Sequence, residues 1–173
     1  FYPSLNTSIE EMAKAASLSS ISDETPEGKS IVSLACAKYG IENTNLASLN
    51  ATFIPFTAEK RVSGILINDR HILKGASDAI IKIVKSKNGV VPSNTLKEIE
   101  NIARQGGTPL IVSDNNKILG VIYLKDVVKP DIKQRLIELR KMGIKSIMIT
   151  GDNPITAASI ASEAGVEIGR AHV

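Results

Sequence analysis

The sequence predicts an α/β chain with two unlike parts. The front is α+β, an antiparallel sheet flanked by helices; the rear is a piece of doubly wound parallel sheet. Three observations carry this. Short β-rich runs occupy 51–74 and 109–125, joined by Asn68-Asp69 and Asp114-Asn115-Asn116, residues suited to tight and left-handed turns. Stretches with apolar residues at helical spacing separate those runs. From Pro130 the pattern changes to helix, apolar strand, helix, the order of parallel α/β units.

Taken in order, Ile9–Ser19 reads as a first helix. Thr25-Pro26-Glu27 is a helix start, with a capping hydroxyl, a proline in the first turn and an early acid. That helix carries Ile31, Leu34, Ala35 and Lys38 and stops at Gly40. Ala51–Phe56 and Arg61–Asn68 are β-rich, and Asn68-Asp69 turns the chain into a strand over His71–Lys74. Ser77-Asp78 opens a helix with an apolar face of Ile80, Ile81 and Val84, ending near Gly89. Asn94–Arg104 is a further helix, closed by Gly106-Gly107, and strands follow at Pro109–Ser113 and Lys117–Lys125. In the rear part, Pro130–Met142 places Ile132, Leu136, Leu139 and Met142 on one helical face. Gly143 ends it, Ile144–Ile149 is expected as a buried strand, and Pro154–Ala164 as the next helix. One strand with two helices leaves unpaired edges, so this strand is expected to be open along its sides. The boundary is placed at 125/126, where Asp126-Val127-Val128-Lys129-Pro130 makes a stiff connector.

Composition excludes several classes. Of 173 residues, 43% are hydrophobic and 23% charged, which suits a globular chain. Aromatics are 3% and Trp is absent, so aliphatic side chains must fill the core. The net charge of +3 tolerates an anionic ligand but does not argue for nucleic acid. Cys36 is the single cysteine, so no internal disulfide forms and a reducing compartment is expected. Apolar runs such as Ile118–Leu124 are too short to cross a bilayer, and no signal peptide opens the chain. Phe1-Tyr2-Pro3 reads as a start in mid-domain. Residues 167–173, Glu-Ile-Gly-Arg-Ala-His-Val, resemble a translated sequencing adapter and are expected to be non-native, outside the fold.

The segment richest in chemistry is Lys145–Asn153, an apolar run ending in Thr150-Gly151-Asp152-Asn153 ahead of Pro154. Ligands of open α/β sheets sit at the carboxyl ends of strands. There Thr150 can bind an oxyanion, Asp152 can serve Mg²⁺, and the following helix start favours negative charge. A plain strand–turn–helix with a polar cap uses the same residues. Lys74-Gly75, between a strand and a helix, can bring a point charge to a phosphate; a surface lysine at a strand end is the alternative. Phe56 offers a flat ring to a purine or a core residue to the sheet. Ser63-Gly64 marks close backbone approach within a strand. Glu27 can bond an amine or hydroxyl, or simply stabilise a helix start. His71 and His172 lack metal-ligand spacing, Cys36 lies among Leu34, Ala35 and Ala37 and reads as packed, and neither a P-loop nor a Gly-x-Gly-x-x-Gly run is present.

Asp126–Pro130, Arg140-Lys141-Met142-Gly143-Ile144-Lys145 and Ile149–Asn153 resemble P-type ATPases. Asp23–Ile31, Ala51–Ala58 with Ser63-Gly64, and Ala103–Leu110 are similar to the potassium-transporting branch of that family. The resemblance covers nearly all of Phe1–Val166. It implies that 1–125 form the nucleotide-binding domain and 126–166 part of a haloacid-dehalogenase-like, Rossmannoid phosphorylation domain. It implies that Phe56 stacks on adenine, that Ser63 lies beside the nucleotide, that Lys74 and Gly75 border the cleft, and that Glu27 hydrogen-bonds ATP. Thr150 would bind the transferring phosphoryl group and Asp152 would order nucleotide and Mg²⁺, while Asp126 and Lys129 match the interdomain connector.

The implied function is the ATP-binding cytosolic portion of a potassium pump, at the cytoplasmic face of the bacterial membrane. Its implied partners are ATP and the other subunits of the transport complex, reached through a membrane part that this segment lacks; no nucleic acid and no membrane contact are expected. Two family motifs, Asp-Lys-Thr-Gly-Thr and Gly-Asp-Gly-x-Asn-Asp, do not occur in these residues. The segment by itself is therefore expected to be catalytically inactive. A stand-alone nucleotide-binding module without turnover is the alternative; a phosphatase with a cap domain lacks its Asp-x-Asp nucleophile here.

Overall fold

A computed structural model describes residues 1–41, 51–125, 131–149 and 154–168. The chain divides into two compact units, Phe1–Ile99 with Pro109–Leu124, and Glu100–Thr108 with Lys125–Val173.

The first unit is built on a six-stranded sheet. Its strands are β1 (Tyr2–Pro3), β2 (Ala51–Ile54), β3 (Val62–Ile67), β4 (Arg70–Ala76), β5 (Thr108–Asp114) and β6 (Lys117–Leu124), in the spatial order β1-β6-β5-β4-β3-β2. The pairs β1–β6, β2–β3, β3–β4 and β4–β5 are antiparallel. Asn68 and Asp69 turn β3 into β4 with φ of 45° and 65°, the left-handed pair that a two-residue hairpin of matched twist requires.

Helices cover both faces. On one lie α1 (Ile9–Leu18) and α2 (Pro26–Tyr39). Ser8 caps α1 by accepting from the Glu11 amide, and Thr25 caps α2 by accepting from the Gly28 amide at 3.1 Å. Gly40 ends α2 at φ 63°, the left-handed position where glycine carries no Cβ penalty. Met12, Ala15, Ala16, Leu18 and Ile31 pack on Ile65, Ile72, Val112, Leu119 and Ile122. On the other face lie α3 (Ser77–Ser86) and the first part of α4 (Ser93–Arg104). There Ile80 and Val84 pack on Val62, Leu73, Ile111 and Ile118, with Ile99 beside them. Aliphatic burial of this kind contributes about 1.5–3 kcal/mol per large side chain.

The second unit holds α5 (Ile132–Lys141), β7 (Ile147–Met148), α6 (Pro154–Ala164) and β8 (Glu167–Ile168). Ala157, Ala161 and Ala164 are buried at helical spacing on α6.

Three expectations are corrected here. The strand foreseen over Ile144–Ile149 contracts to Ile147–Met148, and Ile144, Ile147 and Ile149 are 47%, 64% and 84% exposed. α5 has no fully buried residue: of its apolar stripe only Leu136 and Leu139 are half-buried, while Ile132 and Met142 are exposed. Finally, β7 is not unpaired: β8 runs parallel to it, with Ile147 opposite Glu167 and Met148 opposite Ile168. Glu167 and Ile168, set aside above as tail, therefore take part in the second sheet, because parallel pairing needs a return strand after a crossover helix.

Candidate functional site

The β3–β4 hairpin brings together several of the residues singled out in the sequence. Ser63 stands opposite Lys74, and Val62 opposite Gly75. Side chains alternate along a strand, so Ser63 and Lys74 share the face of Ile65 and Ile72, the face packed under α1 and α2.

Lys74 is not a surface lysine. It is 4% exposed, and its ammonium donates to Oδ2 of Asp23 in the connection between α1 and α2. Asp23 is itself 7% exposed at its side chain. Its Oδ1 accepts from the Thr25 amide at 3.1 Å and the Thr25 hydroxyl at 2.7 Å. Burial alone pushes the Asp23 pKa up and is the largest single influence. The hydrogen bonds from Lys74 and Thr25, with the Lys74 charge, outweigh it and hold the carboxyl below its ordinary value. Asp23 is therefore held as a carboxylate at neutral pH, facing the ammonium that donates to it. Lys74 is thus a fixed partner of Asp23, not a mobile point charge.

Ser63 is 3% exposed, and its hydroxyl has no hydrogen-bond partner among the described residues. Leaving such a group unpaired costs about 1–3 kcal/mol. It sits directly across the ladder from Lys74.

Phe56 lies just past the end of β2 and is 50% exposed, so it is not a core aromatic. It leads into a turn held by the Lys60 amide donating to the Thr57 hydroxyl at 3.2 Å and the Arg61 amide to the Thr57 carbonyl at 2.7 Å. Its ring has open area on which a flat group can stack. Glu27 is exposed in the first turn of α2, beside the loop that supplies Asp23.

The glycines have a structural reason. A Cβ at Gly64 would lie 2.2 Å from the Ile72 carbonyl oxygen, and one at Gly75 would lie 2.4 Å from that of Arg61. The close approach read at Ser63-Gly64 is thus made by β4 itself, and Gly75 is closed in by the start of β3. Thr150 and Asp152 lie outside the described residues, as do Asp126 and Lys129.

Sequence reasoning missed Asp23 as an element of the site. Its partner is 51 residues away, so no local pattern reveals it; the one local cue was an acid two residues ahead of a capping threonine. It also passed over Arg61, whose guanidinium donates to Asp78 in the first turn of α3, both side chains being exposed.

An α+β front followed by a parallel α/β piece is the frame on which these residues stand. The chain belongs to the haloacid dehalogenase-like hydrolase family, whose model matches residues 2–172. Within that class its relatives are ATP-binding subunits of potassium-transporting ATPases. It is 53% identical over 167 residues to the one from Erwinia tasmaniensis and 54% identical over 167 residues to the one from Clostridium perfringens. Each alignment takes in 96% of this chain and 24% of the relative, so the chain spans about a quarter of the length of the curated relatives it matches. Among solved structures, a zinc-transporting PIB-type ATPase in its E2.Pi state matches with a TM-score of 0.61 and 25% identity, over 97% of this chain and 25% of that one. The resemblance to P-type ATPases read from the sequence is borne out by these relatives, and the α/β fold class by the structure.

Proposed function

We propose that the chain is the ATP-handling portion of a potassium-transporting P-type ATPase subunit, which in its full length couples ATP hydrolysis to potassium uptake at the cytoplasmic face of the membrane. In this reading residues 1–125 hold the nucleotide and 126–166 belong to the phosphorylation domain. Phe56 stacks on adenine, Ser63 hydrogen-bonds the nucleotide, and Lys74 with Gly75 forms the wall of the cleft, fixed by Asp23. Glu27 contributes at the rim. Thr150 binds the transferring phosphoryl group and Asp152 orders it with Mg²⁺.

One observation supports this most: the partnerless Ser63 hydroxyl, 3% exposed and directly opposite Lys74. The open face of Phe56 agrees with it. Phosphoryl transfer needs positioning and charge neutralisation above all, and the described residues supply positioning without a net cationic cluster. Binding is accordingly weak, on the order of 0.1–1 mM. The segment lacks the aspartyl-phosphate motif, so it forms no phosphoenzyme by itself. Potassium, the other subunits and the membrane enter only through the rest of the longer protein.

The test is an NMR titration of the 173-residue chain with Mg-ATP. Saturable shifts at Phe56, Ser63 and Lys74 are expected. No response at several-fold the expected dissociation constant overturns the assignment. Acid-stable phosphate on the chain after incubation with ATP would contradict the predicted inactivity.

A further inference from the structure

A pocket lies at the edge of the sheet where β1 pairs with β6, away from the β3–β4 hairpin. Its volume is about 140 Å³, and Tyr2, Pro3, Ser4, Asn94, Thr95, Glu98 and Val121 line it. Asn94, Thr95 and Glu98 fall on one side of α4, at spacings of one and four residues.

Its polar groups offer both donors and acceptors, with acceptor capacity to spare. Ser4 and Thr95, 5% and 2% exposed, share a hydrogen bond of 3.0 Å, which leaves hydroxyl lone pairs free. The side-chain oxygen of Asn94 is buried and has no partner among the described residues. Glu98 is half-buried, and no Lys or Arg among the described residues pairs with it. No basic side chain lines the pocket. Pro3 and Val121 supply apolar wall, and Tyr2, 41% exposed, supplies a ring.

Acceptors, one uncompensated carboxylate and an aromatic face are complementary to an ammonium group. The space is several times the roughly 30 Å³ of one water, so a bare ion would leave it unfilled, whereas a short alkyl chain fits the apolar wall. We propose that this pocket binds a primary alkylammonium group, its charge on Glu98 and the Asn94 oxygen, its chain against Pro3, Val121 and the Tyr2 ring. The carrier is either a free amine or a lysine side chain.

The experiment is a set of NMR titrations of the whole chain at fixed ionic strength, with n-butylammonium, N-acetyl-lysine methylamide, butan-1-ol and potassium chloride as separate probes. Saturable shifts at Tyr2, Thr95 and the Asn94 amide are expected with the ammonium probes and not with the alcohol or the salt. Glu98→Gln, with an unchanged spectrum elsewhere, is expected to weaken binding by about tenfold or more. Binding of both ammonium probes assigns the site to the group whatever carries it; binding of one alone names the carrier. Binding of neither, equal binding of butan-1-ol or potassium chloride, or an undiminished affinity in a folded Glu98→Gln variant overturns the proposal. Because the two alcohol and salt controls use the unaltered chain, the test stands even if the variant fails to fold.

Discussion

Lys74 on β4 and Asp23 between α1 and α2 stand 51 residues apart in the chain and form an ion pair with 4% and 7% of their side chains exposed. The pair ties the helical layer to the sheet on the face where the candidate site lies. Its net contribution is small while intact, because desolvating both charges offsets much of their attraction. Its loss is another matter. Asp23→Ala leaves a buried ammonium without a counter-charge, and a destabilisation of about 3–5 kcal/mol is expected in urea unfolding. Lys74→Met combined with Asp23→Leu should recover most of that loss, since both charges leave together.

The same pair sets a pH dependence. The folded pKa of Asp23 lies below its ordinary value, because hydrogen bonds from Lys74 and Thr25 outweigh the opposing effect of burial. Its stabilisation is thus complete above the unfolded carboxylate's pKa, roughly 4, and is lost as pH falls through the lower folded pKa. Urea midpoints measured from neutral pH downward should fall more steeply in that acid window for the native chain than for Asp23→Asn.

Local chemistry made much of the first unit legible. Thr25-Pro26 caps α2 and Gly40 ends it because each signal acts within a turn of its own position. Asn68-Asp69 makes the hairpin for the same reason. What escaped is long-range. β1 is two residues long and pairs with β6, from Tyr2 to Val121, and no periodicity can be read in so short a strand. Asp23 gains its meaning only from Lys74. The α5 pattern was legible only in part: Leu136 and Leu139 of its apolar face are half-buried, but apolar spacing says which face could be buried, not how far a partner covers it, and Ile132 and Met142 of that face are 37% and 74% exposed. At the candidate site, the hairpin that sets Ser63 opposite Lys74 was legible in its turn residues, while the burial of the lysine was not.

Gly64 tests the strand pairing beneath the site. An added Cβ would stand 2.2 Å from the Ile72 carbonyl oxygen and 2.9 Å from the Leu73 Cα, both backbone atoms that cannot rotate away. Gly64→Ala should therefore force β3 and β4 apart and cost about 1–3 kcal/mol or more. Hydrogen exchange on the amides of β3 and β4 should accelerate in that variant more than on β5 and β6.

Phe56 separates binding from folding. With half of its surface exposed and no place in either core cluster, its removal should shift stability by only about 0.5 kcal/mol. If the ring stacks on a purine, however, its loss removes about 1–3 kcal/mol of binding. Phe56→Leu keeps an apolar side chain but no aromatic plane, and Phe56→Ala keeps neither. Both variants should therefore lose affinity for Mg-ATP by about fivefold or more while melting close to the native chain. A variant that binds Mg-ATP as tightly as the native chain would place the base elsewhere and leave Ser63 and Lys74 without a stacked purine above them. A large loss of stability would instead assign the ring to packing through the loop it leads into, the loop closed by Thr57 and Arg61.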